Sequence, residues 1–115
     1  MIGCDIHPVN NLRVLNALRT RFGADDAVVA AWFRHWVEET FAPLEKQLGE
    51  SPLTGKFCHG DTVGIADLCL VAQVANNARF NLDMAAYPMI SRINAAAMAV
   101  DAIAAAAPSR QPDAE

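Results

Sequence analysis

Residues 56–80 read KFCHGDTVGIADLCLVAQVANNARF, and this stretch decides the fold. After a turn bracketed by Gly55 and Gly60, the segment from Ile65 to Ala75 is apolar almost all the way round. A helix with no polar face until its end belongs inside a bundle, surrounded by other helices. The pattern predicts a central buried helix over Ile65–Arg79. With Gly64 as N-cap, Asp67 falls at N3, where its carboxylate can accept from the cap amide. Glycine in place of a hydroxyl cap costs only a few tenths of a kcal/mol. Asp67 near the start and Arg79 at the end suit the helix macrodipole. Arg79 therefore admits two readings, a helix-end cation or a working group.

The neighbours are amphipathic. Val9, Leu12, Leu15, Leu18 and Phe22 share one face of a helix predicted from Pro8 to Phe22, with Gly23 closing it. A second helix, from about Asp26 to Leu48, carries a wide stripe from Val29 through Phe33, Val37 and Phe41 to Leu48. Pro43 is expected to bend it, and Gly49 to stop it. Trp32 and Trp36, at i and i+4, read as packing rather than as a ligand platform. Glu50 to Gly60 reads as a loop without a strand. A fourth helix is expected from Pro88 to about Ala99, and a short fifth over 102–107 capped by Asp101. The tail after Pro108 reads as surface or disordered chain. The fold class is all-α: about five helices in one domain, residues 1–115, around the Ile65–Arg79 helix.

Composition narrows the function. The chain has 115 residues, 53% of them hydrophobic and 19% charged, with a formal net charge of −4. That suffices for a core and excludes a disordered chain. No basic run favours nucleic acid. No apolar run is long enough to span a membrane, and MIGCDIHPVNN lacks the pattern of a signal peptide. Three cysteines, an odd count, point to reduced thiols and a cytoplasmic setting. Cys4 with His7, and Cys58 with His59, lack a standard ligand spacing, so no metal site is expected.

The pattern F-C-x-G-D-x-V-x-I-A-D-L-C-L-V-x-Q-V-A-N-x-x-R-F-N-x-D, Phe57 to Asp83, resembles the C-terminal domain of zeta-class glutathione transferases, the maleylacetoacetate and maleylpyruvate isomerases. CDIHPVNNLRVLNALR (4–19), AYPMISRINAA (86–96) and APSRQPDA (107–114) agree with it. The I-A-D core is shared by many transferase classes, whereas Q-V-A-N-x-x-R-F and R-Q-P-D are particular to zeta. Gly64 departs from the family's threonine or serine cap, and Ala72 from a frequent proline. The resemblance implies a fold whose first helix is cut short here and whose thioredoxin-like partner domain is absent. It implies a glutathione-dependent cis–trans isomerase of a diketo dicarboxylate, a step of aromatic amino-acid catabolism. In such enzymes the glutathione thiolate adds, the bond rotates, and elimination follows. Arg79 matches the arginine that grips substrate carboxylate. Asn11 and Arg13 match contacts at the mouth of the site, and His7 matches a histidine near glutathione. No catalytic residue of the family falls within this chain, so little or no activity is expected of it alone. The alternative is a free-standing binding or oligomerisation module derived from the enzyme. On that alternative, apolar surface left exposed leads us to expect a homodimer or higher oligomer, with a thioredoxin-like domain in trans as a further partner.

Overall fold

The computed structural model describes residues 1–112 and 114. Five α-helices follow one another: α1 Leu12–Phe22, α2 Asp26–Glu50, α3 Ile65–Ala78, α4 Pro88–Met98 and α5 Asp101–Ala105. A π-helical turn, Ile2–Ile6, precedes them and a 3₁₀ turn, Pro108–Arg110, follows. The described residues contain no strand, and the loop before α3 holds one isolated bridge, Thr54 to Gly60. The all-α expectation is therefore met.

The first helix starts later than the spacing predicts. Asn11 is extended (φ −72°, ψ 157°), and its side chain accepts from the Val14 amide at 3.1 Å while donating to the Pro8 carbonyl at 2.7 Å. An asparagine that caps in both directions fixes the boundary at Leu12. The apolar face of α1 is also narrower than expected. Leu15 is buried, but Leu12 and Phe22 are 70% and 78% exposed, because α1 packs mainly against α2. The preceding turn, which shows no sequence pattern, brings Ile2 and Ile6 into the core. Gly23, at φ 66°, closes α1 in the left-handed conformation that glycine adopts without penalty.

Helix α2 carries the stripe its spacing predicts: Val29, Phe33, Val37 and Phe41 are fully buried. It continues through Gly49 to Glu50, two residues beyond the expected end. Gly49 remains helical, and the stop comes at Ser51, held extended by the following Pro52. Trp32 and Trp36 meet edge-on at 5.7 Å, and the Trp32 indole N–H donates to the Val9 carbonyl at 3.1 Å, which makes this pair a packing element.

Helix α3 packs on α4 and on the Ile2–Ile6 turn. It ends at Ala78, with Arg79 as C-cap. Asp67 behaves as its N3 position predicts: one carboxylate oxygen accepts from the Gly64 amide at 2.8 Å. The other accepts from the Cys58 amide at 2.8 Å, so the same buried side chain also moors the preceding loop. The expectation of burial all round is corrected. The inner face carries Asp67, Leu70, Gln73 and Asn77, whereas Ile65 is 81% and Leu68 50% exposed. Too few helices lie around α3 within this chain to cover its apolar circumference.

The start of α4 is fixed by a residue far away in sequence. The Glu45 carboxylate, on α2, accepts from the Met89 amide at 2.6 Å and the Ile90 amide at 2.9 Å. It satisfies two amides that Pro88 and Tyr87 cannot cap, and it places negative charge at the positive helix end. Arg92, one turn further on, donates to the Gly55 and Lys56 carbonyls and fastens the loop. Helix α5 begins at Asp101 and is shorter than expected, with Val100 in the N-cap position.

Candidate functional site

The C-terminal end of α3 borders the candidate site. Asn77 is the last buried residue of the helix, and its carbonyl accepts from the Phe80 amide at 3.1 Å and the Leu82 amide at 3.2 Å. Asn81 makes this tight exit possible at φ 51°, a left-handed conformation that asparagine tolerates better than most residues. Phe80 then stacks on Phe33 of α2, with ring centroids 3.8 Å apart. Arg79 sits between these two anchors. Its backbone is helical (φ −65°, ψ −23°), and its side chain is exposed with no ion pair among the described residues.

The Arg79 side chain lines a cleft of about 630 Å³ together with His7, Asn76 and Ser109. The remaining walls are the small apolar residues Ala72, Ala75, Ala78 and Pro108. Ala72, Ala75 and Pro108 also border an apolar groove of about 440 Å³ between α3 and α5, so the two spaces adjoin. His7 arrives from the turn after Ile6 and Ser109 from the C-terminal 3₁₀ turn. Three separate parts of the chain thus converge on one arginine.

Of the four residues singled out in the sequence, His7 and Arg79 come together in this cleft. Asn11 and Arg13 do not line it. Asn11 is engaged at both ends as the α1 cap, and Arg13 is exposed on α1. Asn76 and Ser109 line the cleft without having been singled out. Asn76 had a legible signal: it lies one helical turn before Arg79, on the same face. Ser109 had none, since only the folded C-terminal turn brings it near α3.

The chemistry available is that of a carboxylate grip. A guanidinium is always charged and offers a planar fork of donors matched to a carboxylate. Asn76, Ser109 and His7 add further hydrogen-bonding groups. Among the described residues, no thiol or carboxylate lines the cleft. Cys58 is elsewhere, and its thiol is pushed up to about 12, first by burial and then by the hydrogen bond and charge of Asp67. A thiol held protonated in this way is a poor nucleophile near neutral pH. Among the described residues the cleft has no strand edge along which a tripeptide backbone could pair, so His7 and Arg79 offer single contacts rather than a complete glutathione site. Among the described residues, no three His, Cys, Asp or Glu side chains are arranged to hold a metal ion. No helix of the described residues is long and apolar enough to cross a membrane.

No protein-family model matches the chain. Curated relatives do. The chain is 44% identical over 113 residues to a maleylpyruvate isomerase of Ralstonia sp., covering 98% of this chain and 53% of that protein. It is 44% identical to a probable maleylacetoacetate isomerase of Vibrio cholerae, covering 98% and 52%. Among solved structures, a holo maleylpyruvate isomerase described as a bacterial zeta-class glutathione transferase superposes with a TM-score of 0.95 at 44% identity, covering 99% of this chain and 54% of that one. A maleylacetoacetate isomerase of Methylobacterium extorquens, solved with malonate and glutathione bound, gives a TM-score of 0.95 at 37% identity, covering 99% and 53%. The chain spans about half the length of the curated relatives it matches. Its helices, its near-complete coverage and its identity to these proteins agree: the chain belongs to the maleylpyruvate and maleylacetoacetate isomerase family of zeta-class glutathione transferases, as that family's C-terminal helical domain.

Proposed function

We propose that this chain is the substrate-gripping half of a glutathione-dependent cis–trans isomerase acting on a maleylacetoacetate- or maleylpyruvate-like dicarboxylate. The observation that carries the reading is Arg79, exposed at the C-cap of α3 and facing a cleft walled by small residues. The chain's own contribution is to bind and orient: Arg79 holds one carboxylate, while Asn76, Ser109 and His7 offer hydrogen bonds around it. Addition to the double bond needs a thiolate, and the cleft supplies none. That step belongs to a glutathione-binding, thioredoxin-like domain outside this chain. A relative solved with malonate and glutathione together supports this pairing of ligands.

The uncovered face of α3 supports the same division. Ile65 and Leu68 lie on the outer side of the helix, in line with Ala72 and Ala75, and Leu68 lines the groove to α5. Exposed apolar surface of this kind marks a contact with another body. In this reading that body is the thioredoxin-like domain, and the chain also associates with a second copy of itself. Three free thiols fit a reducing, cytoplasmic setting.

Calorimetric titration with malonate tests the reading. The chain should bind malonate, and Arg79→Ala should weaken binding at least about tenfold, the size of one lost charge-assisted contact. Equal binding by the variant would refute the assignment of Arg79. Robust glutathione-dependent turnover by the chain alone would refute the assignment of the thiol chemistry to another domain.

A further inference from the structure

We propose that the buried amides Gln73 and Asn77 form a positioning device for Arg79, holding the end of α3 in the one turn that mounts the guanidinium at the cleft. Both side chains are fully buried on the inner face of the helix. Gln73 Nε2 donates to Asn77 Oδ1 at 2.7 Å. Asn77 Nδ2 in turn donates to Met84 Sδ at 3.7 Å, across the connection that leaves the helix. The Asn77 backbone carbonyl closes the same turn from the other side, through the Phe80 and Leu82 amides. Arg79 lies within the loop that Asn77 closes twice, once by its backbone and once by its side chain.

Stability alone does not account for this pair. Two apolar side chains would fill the inner face of α3 without burying polar atoms, which are costly when left unpaired. Gln73 Oε1 is such an atom: it is buried and has no hydrogen-bond partner among the described residues. What the pair does achieve is geometric. The Gln73 donor fixes the Asn77 side chain, which then aims its own donor at Met84 and ties the exit segment back to the helix. Neither residue lines the cleft, so both act through Arg79 rather than on a ligand. The functional sense of the device rests on the carboxylate reading of Arg79; the mechanical sense does not.

The test is Gln73→Met in the full chain, a swap of similar length that removes the buried acceptor and the donor to Asn77. Three quantities are read: melting temperature, amide hydrogen exchange at Phe80 and Leu82, and malonate affinity. The melting temperature should hold or rise. Exchange at the two amides should quicken about tenfold, the scale of one lost hydrogen bond, and malonate should bind about tenfold more weakly. Unchanged exchange at Phe80 and Leu82 overturns the proposal, whatever malonate does. Faster exchange with wild-type malonate affinity overturns the link to Arg79. If the wild-type chain binds no malonate, the carboxylate reading fails and exchange still decides the mechanical claim. If Gln73→Met does not fold, Met84→Leu removes the sulfur acceptor alone, and the same exchange measurement decides.

Discussion

The carboxylate of Glu45 is the most exacting place to test how this fold is held together. It reaches from α2 to the first turn of α4 and accepts from two amides, Met89 and Ile90, at 2.6 and 2.9 Å. Helix α4 has no side-chain cap of its own, since Tyr87 occupies the N-cap and Pro88 the first position. Replacing Glu45 by alanine strands both amides at a half-buried helix start. A hydrogen bond to a charged group contributes about 1.5–3 kcal/mol, and a lost cap about 1 kcal/mol. Water reaches part of the site, so the two bonds will not sum in full. The expected loss is about 2 kcal/mol, a melting temperature lower by roughly 8 °C for a domain of this size. Glu45→Gln keeps one acceptor without the charge and should lose about half as much. Urea denaturation of the three proteins checks both values. If Glu45→Ala stays within about 0.5 kcal/mol of the wild type, α4 is held by its apolar face alone and the reasoning is refuted.

Three further outcomes follow from the loop and the start of α3. Gly55→Ala should cost about 1–3 kcal/mol, because its Cβ would meet the Gly60 carbonyl oxygen at 2.6 Å, a backbone collision that no rotamer relieves; thermal unfolding reads it. Gly64→Ser should stabilise by a few tenths of a kcal/mol, since it adds a hydroxyl at an N-cap that lacks one and its Cβ meets only Asp67 Oδ2, at an ordinary 3.8 Å; a matched denaturation curve will show it. Cys58 should resist iodoacetamide at pH 8 in the folded chain while the exposed Cys4 reacts, as mapped by mass spectrometry. The linkage has a definite sign. The folded thiol sits at about 12 against an ordinary 9.0, so the folded state keeps the proton longer. That contribution to stability is complete below pH 9 and is lost as pH rises from 9 towards 12; Cys58→Ala should flatten this alkaline decline.

The sequence spoke most clearly where structure is local. The four-residue spacing of Val29, Phe33, Val37 and Phe41 named the buried face of α2 correctly. Asp67 at N3 announced the start of α3. It failed where a polar side chain outranks periodicity, as when Asn11 cuts off α1 that apolar spacing would begin at Pro8. Apolar composition likewise marked α3 as central, yet it did not tell that Ile65 and Leu68 stay exposed on its outer side. Glu45 was invisible because its partners lie 44 and 45 residues away. The site divides in the same manner. Arg79 and His7 were named by resemblance to a family, not by spacing, and only the folded chain shows that they share a cleft while Asn11 and Arg13 lie outside its walls.

A malonate titration followed by NMR at the side chains themselves decides whether Arg79 grips a carboxylate. The Arg79 Nε–Hε signal and the His7 ring signals should shift together and saturate at one ligand concentration, while the Arg13 Nε–Hε signal stays in place. Movement of Arg13 with Arg79 unmoved would contradict that grip.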